Sequence, residues 1–526
     1  MRTIHFSGKR LVLNGSFVLI LLLACCTKLD EKFNGDLTSN QVASGNANTA
    51  ALLNGVYSAM EDAFVFPLNT WALNELPTDA AIAPTRGQDW DDNGTWRALH
   101  QHSWNSLNPK IAEVFKKING VSFLATDMLQ YNPTPEQQAQ ARFLRAYAMY
   151  FLLDLFNQVP YRDPGESLLT EARVRKGLDA LDYIVSEINA VEPMLAGGPP
   201  YVANKYAARA LLMKIYLNKA VYENRADPTF KAEDMNKVIS LADEIINSGK
   251  YKFSDQFFDN FAPSNTVIGK ENIFTQFHEG GASANDLVFM TFVVTMHYAN
   301  TPGGANGFTT LSDFYDRFEL SDKRRGIHYI TTGTPPNPGN RVNIGFLAEQ
   351  QYNLFDDTPL SYGSGQPLAF TREVKNIELG SNLEVTGIRA LKYEPDWNNL
   401  FDPDNDYVFF RLSDVLLMKA EAIMRGGTAT PDDTYGNDAL SIVNTIRTDP
   451  ARGASAFTSI NLDQLLEERG RELWWEGWRR QDMIRFGTFL KNFQEKEYLS
   501  DPKYLVFPIP EEQLAVNHIL VQNPGY

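Results

Sequence analysis

The stretch Arg86-Gly87-Gln88-Asp89-Trp90-Asp91-Asp92-Asn93-Gly94-Thr95-Trp96 sets two indole rings six residues apart among acids and amides. That combination suits sugar binding. Indole rings stack on the apolar C–H faces of a sugar, while carboxylates, amides and a guanidinium bond its hydroxyls. Gly87 and Gly94 allow tight turns, which would expose both rings. Trp90, Trp96, Arg86, Asp89, Asp91 and Asn93 are therefore the first candidates for ligand contact. A second role is open to the rings, as plugs holding the loop onto neighbouring helices. Exposure decides between the two.

Metal and catalytic chemistry find less support. Asp89-x-Asp91-x-Asn93-Gly94 has the spacing that opens a calcium loop, but the twelfth position is His100, not the bidentate Glu that closes one. Asp402-x-Asp404-x-Asp406 lacks both the Gly and the terminal Glu, and reads as a solvated acidic turn. His100 and His102 suit a strand metal pair by spacing, yet no HExxH and no third ligand stands near them. No G-x-S-x-G or phosphate loop is present. With 64 acidic residues, a glycosidase carboxylate pair stays open from sequence.

Of 526 residues, 44% are hydrophobic and 21% charged, which excludes a largely disordered chain. The formal charge of −16 argues against sequence-independent nucleic-acid binding. The two cysteines, Cys25 and Cys26, are adjacent, so the folded body has no disulfide, thiolate nucleophile or Cys-ligated metal. They close an amino-terminal address. Arg2, Lys9 and Arg10 precede an apolar run from Leu11 to Leu23, short for a transmembrane helix. The run ends Leu22-Leu23-Ala24-Cys25-Cys26, which resembles the lipobox of bacterial lipoproteins. Ala24 favours Cys25 as the acylated residue; the neighbouring register would select Cys26. Cleavage after residue 24 removes three of the 48 basic residues and leaves a charge of −19. Residues 25–45 read as a lipidated tether to the membrane, with 1–24 as signal peptide.

Helical periodicity runs through Asn108–Leu129, Pro135–Phe156, Ala172–Met194, Ala203–Tyr222, Ala232–Ser248, Tyr407–Arg425 and Asp433–Arg447. Leu211-Leu212-Met213-Lys214 recurs as Leu416-Leu417-Met418-Lys419, and both echo Arg145-Ala146-Tyr147-Ala148-Met149. Such helix pairs resemble tetratricopeptide repeats at irregular spacing. Between them, residues 255–400 are punctuated by Gly280-Gly281, Pro302-Gly303-Gly304 and Gly363-Ser364-Gly365, the mark of long loops and short strands. The expected organisation is a helical region at 46–254, a loop-rich insertion at 255–400 and a second helical region at 401–526. Overall the fold is mainly α, with tetratricopeptide-like pairs packed against a loop-rich, mixed half.

These segments together carry a family resemblance. Arg142-Phe143-Leu144-Arg145-Ala146-Tyr147 with Asn157-Gln158-Val159-Pro160-Tyr161 is similar to the first helix-pair region of SusD/RagB-type outer-membrane lipoproteins. Tyr407 to Ala422, Glu468 to Arg485, Phe507-Pro508-Ile509-Pro510 and the terminal Asn523-Pro524-Gly525-Tyr526 continue the match in order. The resemblance implies a Bacteroidetes-type surface lipoprotein of the outer membrane. It implies a SusC-like TonB-dependent transporter as partner, an oligomeric nutrient, usually a glycan, as ligand, no cofactor and no catalysis. It also points to aromatics in the insertion, here Tyr298 and Trp397, with Trp71 a weaker choice. A surface glycoside hydrolase and a transporter-capping subunit with little ligand affinity are the alternatives.

Overall fold

The computed structural model of the chain describes residues 48–281, 287–332 and 341–526. The apolar leader, Cys25, Cys26 and the tether fall outside the described residues. No helix among the described residues is long and apolar enough to cross a membrane.

The principal helices are α1 (Thr49–Met60), α2 (Pro109–Met128), α3 (Pro135–Phe156), α4 (Gly177–Val191), α5 (Lys205–Glu223), α6 (Ala232–Ile246), α7 (Leu412–Met424), α8 (Ala439–Thr448) and α9 (Leu462–Leu473). Their starts are set by local chemistry. Asn108 accepts from the Lys110 and Ile111 N–H groups, with Pro109 in the first turn. Thr134 and Gln137 close a reciprocal capping box on α3. Asn157 ends α3 in the left-handed region, and its N–H bonds the Leu153 carbonyl.

From α1 to α8 each helix packs on the next, and α9 lies against α7. The chain leaves this row after α6 and returns to it at α7. The recurring Leu-Leu-Met-Lys motif shows its purpose here. Lys214 of α5 pairs with Asp414 of α7 at 2.7 Å, and Lys419 of α7 pairs with Asp243 of α6 at 2.7 Å. Each lysine fastens one helix to another across the row.

The loop-rich half holds short strands. β1 (Asn272–Gln276) pairs antiparallel with β2 (Tyr407–Arg411), and all ten residues are buried. The expected helix over Tyr407–Arg425 is thus a strand followed by a helix. Its first residues are apolar on every side, a pattern that fits a buried strand as well as a helix. Trp474, Trp475 and Trp478 are core residues between two helices. α9 stops at Leu473, and Trp475 (φ 60°) and Gly477 (φ 79°) turn the chain before a short helix at Arg479–Arg485.

Buried ion pairs join the two halves. Glu472 of α9 meets Arg411 at 2.6 Å, Arg452 at 2.8 Å and Arg324 at 2.9 Å, all fully buried. Glu271 pairs with Arg452 at 2.7 Å, and Lys392 with Glu476 at 2.6 Å. These residues form ion pairs between segments far apart in sequence. Three guanidinium groups hold the Glu472 carboxyl well below its ordinary value against the opposing cost of burial.

Candidate functional site

Thr85 and Arg86 form a two-residue parallel ladder with Ile377 and Glu378, which brings the tryptophan loop against the insertion. The Arg86 side chain is buried and donates to the carbonyls of Leu383, Gly307 and Thr386 at 3.0, 3.2 and 3.1 Å. Burial pushes it down to about 10, against the pull of Glu378 and Glu384. Arg86 staples the loop and presents nothing to a ligand, contrary to its nomination.

Beyond it the backbone turns sharply, with Trp90 at φ 58°, Asp92 at 42° and Asn93 at 55°. Left-handed non-glycine residues cost roughly 1–3 kcal/mol each and persist where surrounding contacts over-determine them. Those contacts are visible. The Trp90 indole N–H donates to the Ala305 carbonyl at 2.9 Å, and its ring lies on Gly307, where an added Cβ would sit 2.3 Å from the ring. Only glycine permits that approach.

The expectation that both rings are exposed fails for one of them. Trp96 is 3% exposed, and its N–H donates to Asp92 Oδ2 at 2.5 Å. Its ring meets Phe308 edge-on at 5.6 Å. Trp71 is buried too, stacked on the same Phe308 at 5.6 Å and bonded to the Trp475 carbonyl. Phe308 is therefore the hub of three indoles, and only Trp90 is half-exposed. Asp89 and Asn93 are exposed, and Asp91 pairs with Arg97 at 3.0 Å.

Tyr298 lies on the loop that receives Trp90. Residues 293–308 fold on themselves, the N–H groups of Ala305, Asn306 and Gly307 donating to the carbonyls of Val293, Met296 and Val294. Tyr298 is 56% exposed, and its ring lies tilted against His297 at 3.9 Å. The Ala299 N–H donates to His297 Nδ1, so Nε2 carries the proton and faces Glu384 Oε2 at 3.3 Å. Burial, helped by Arg389, pushes the imidazole down to about 4, so it is neutral. Asn306 also donates to Glu384, and the Tyr298 hydroxyl is raised first by burial and then by its bond to that carboxylate. Glu384 thus stands partly exposed beside Tyr298, braced from behind. Sequence reasoning missed it, because nothing local distinguishes it from other acids.

Trp397 occupies a different wall. It lines a cavity of about 420 Å³ with Tyr352, Gln350 and Arg325. Its ring meets Phe355 edge-on at 5.5 Å. Asn300 and Pro302 border the same cavity, so loop 293–308, which bears Tyr298 and receives Trp90, also forms part of the cavity wall.

The remaining candidates are committed elsewhere. His100 and His102 are buried and bonded to the Leu76, Gln494 and Pro77 carbonyls. The turn at Asp402–Asp406 is not simply solvated. Asp404 accepts from Ser264, and Asp406 is buried, accepts from Thr275 and the His278 N–H, and is pushed up to about 6 by burial. Among the described residues no group of three or more His, Cys, Asp or Glu could hold a metal.

Residues 270–526, which include loop 293–308, Glu384 and Trp397, match the SusD family. The starch-binding protein SusD of Bacteroides thetaiotaomicron is 26% identical, the alignment covering 88% of this chain and 86% of that protein. The chain is thus similar to the SusD family. SusD-like protein P2 of Formosa agariphila is 24% identical over 97% of this chain and 98% of its own length. Among solved SusD-family folds, a laminarin-binding SusD-like protein superposes with a TM-score of 0.66 at 18% identity, covering 91% of this chain and 99% of that one. Surface glycan-binding protein A of Bacteroides uniformis gives 0.65 at 16% identity, covering 90% and 98%. The row of helix pairs against a loop-rich half is thus the SusD fold. Three of these, SusD, the laminarin-binding protein and surface glycan-binding protein A, are described as binding proteins.

Proposed function

We propose that this chain is a cell-surface glycan-binding protein that captures oligosaccharide and delivers it to a SusC-like TonB-dependent transporter. The observation that carries the reading is that loop 293–308, which bears the exposed Tyr298, also receives the Trp90 indole at Ala305, with Glu384 beside Tyr298. An aromatic face with an adjacent braced carboxylate can stack on a sugar and accept from its hydroxyls. Relatives named for starch, laminarin and surface glycans support the ligand class. The protein acts by binding, without turnover. Titration of the purified chain with a panel of neutral and acidic oligosaccharides tests this, with reducing ends assayed alongside. Saturable binding without new reducing ends supports it; product formation favours the hydrolase, and no binding to any member favours the capping subunit.

The anchor belongs to the same proposal. Cys25 carries the lipid that ties the chain to the outer membrane. Two or three acyl chains anchor stably, at about 0.8 kcal/mol per buried methylene. Mass spectrometry of the mature amino-terminal peptide checks it, and a peptide starting at Cys26 or lacking lipid refutes it. The transporter partnership predicts recovery of a large barrel protein in roughly equal amount after gentle detergent extraction and pull-down.

A further inference from the structure

Three arginines line the cavity that holds Trp397. Two are neutralised. Arg341 lies over the Tyr352 ring and pairs with Asp357 at 2.6 Å. Arg372 pairs with Asp316, and Glu349 also stands near it. The third, Arg325, differs. Its guanidinium lies over the Tyr315 ring at 4.4 Å, and Nη2 donates to the Tyr315 hydroxyl at 2.5 Å. Its Nε is buried with no partner, and among the described residues no carboxylate lies within ion-pair distance.

Its sequence neighbour sharpens the contrast. Arg324 is fully buried and held by Asp322, Glu468 and Glu472 at 2.7–2.9 Å. The fold therefore satisfies one guanidinium with three carboxylates and leaves the next with a phenol. A guanidinium presents a planar fork of donors that matches two oxygens of a carboxylate or a sulfate, and such charge-assisted bonds are about twice as strong as neutral ones. The remaining walls suit a sugar. Trp397 offers a ring face, and Gln350 and Asn300 offer amides. The volume of about 420 Å³ lies within the range of about 300–1,000 Å³ usual for small-molecule sites. The other acid on the wall, Glu394, is buried and already accepts from the Thr331 N–H and hydroxyl. Burial pushes it up to about 7, so it opposes an incoming anion less than an ordinary carboxylate.

We propose that the Arg325 cavity is a subsite for an anionic substituent, a carboxylate or a sulfate ester, carried by the bound glycan. The inference rests on the glycan-binding reading and adds the charge of the ligand to it. Neutral oligomers would then reach only the Trp90–Tyr298 face.

The test compares matched ligands on the detergent-extracted full chain by isothermal titration. One arm uses oligogalacturonate against its carboxyl-reduced form. The other uses a sulfated galactan oligosaccharide against its desulfated form. The expected result is that at least one acidic form binds ten- to a hundredfold tighter than its neutral counterpart, and the responding arm names the substituent. Arg325→Met should bring acidic and neutral forms to the same affinity, and Arg325→Lys should keep part of the preference. Circular dichroism confirms that each variant is folded. Equal binding of acidic and neutral forms by the natural chain overturns the subsite and leaves the glycan reading standing. A preference that survives Arg325→Met also overturns it. If no oligosaccharide of either kind binds, both readings fall.

Discussion

Trp90 and Trp96 have the same side chain and lie six residues apart, yet their substitution by alanine should have opposite consequences. Trp96 is 3% exposed, packed on Phe308 and bonded to Asp92. Removing a buried Trp costs about 3–5 kcal/mol in lost burial and residual cavity. Trp90 is half-exposed and makes one hydrogen bond, to a carbonyl that water can reach once the ring is gone. Its loss should cost about 1 kcal/mol of stability. For binding the order reverses. A ring stacked on a sugar contributes about 0.5–1.5 kcal/mol beyond area burial by analogy with aromatic pairs, so Trp90→Ala should weaken binding up to roughly tenfold. Trp96→Ala should lower the denaturation midpoint markedly, while whatever folded protein remains keeps most of its affinity. Urea unfolding followed by fluorescence and calorimetric titration measures the two quantities on the same preparations. If Trp90→Ala binds the cognate glycan unchanged, or if Trp96→Ala leaves the midpoint where it was, the division between platform and plug is wrong.

Gly307→Ala should mimic Trp90→Ala in binding, because the new Cβ would meet the indole at 2.3 Å and push it aside; an unchanged affinity would show that the ring is not needed there. Glu472→Gln should destabilise by about 3–5 kcal/mol, since it leaves Arg411, Arg452 and Arg324 short of their shared carboxylate, and guanidinium unfolding reads the loss directly. Glu75 is buried, accepts from the Gly477 N–H at 2.7 Å, and is pushed by burial from 4.5 up to about 8. A carboxyl raised in the fold contributes stability that is complete below its unfolded value and lost as pH rises through the folded one. Glu75→Gln should therefore flatten the fall in melting temperature between about pH 5 and pH 9, and parallel curves for the two proteins would contradict this.

Helices were legible wherever the ends are chemically marked. Thr134-Pro135 opens α3 and Asn157 closes it, and both act as their types imply. What stayed hidden depends on partners distant in sequence. Trp96 and Trp90 share a side chain and both meet Phe308, more than two hundred residues on, and only the fold shows that one is buried there and the other stays half-exposed. Tyr407–Arg411 reads as the start of a helix until Asn272–Gln276 pairs with it. Arg324 and Arg325 are indistinguishable as adjacent letters, and only the fold shows that one is saturated with carboxylates and the other is not. Glu384 acquires meaning from His297 and Asn306 in the same way.

The return of the chain to the helical row at α7 has a consequence for biosynthesis. α6 buries Met235, Val238, Ile239, Ala242 and Ile245, and Met235 and Ile239 lie close under Gly427, just past the end of α7. Until about 180 further residues have emerged, part of that surface has no native cover. A nascent chain therefore carries a sticky helical edge through the whole period in which the loop-rich half is made, a state in which exposed apolar surface invites aggregation. Lys419, which later fastens the edge through Asp243, arrives only with α7. Closing so long a loop before its contacts form also slows folding. A protein built this way depends on being kept from its neighbours while it is still incomplete, and truncations anywhere between α6 and α7 should yield aggregates rather than a smaller soluble domain.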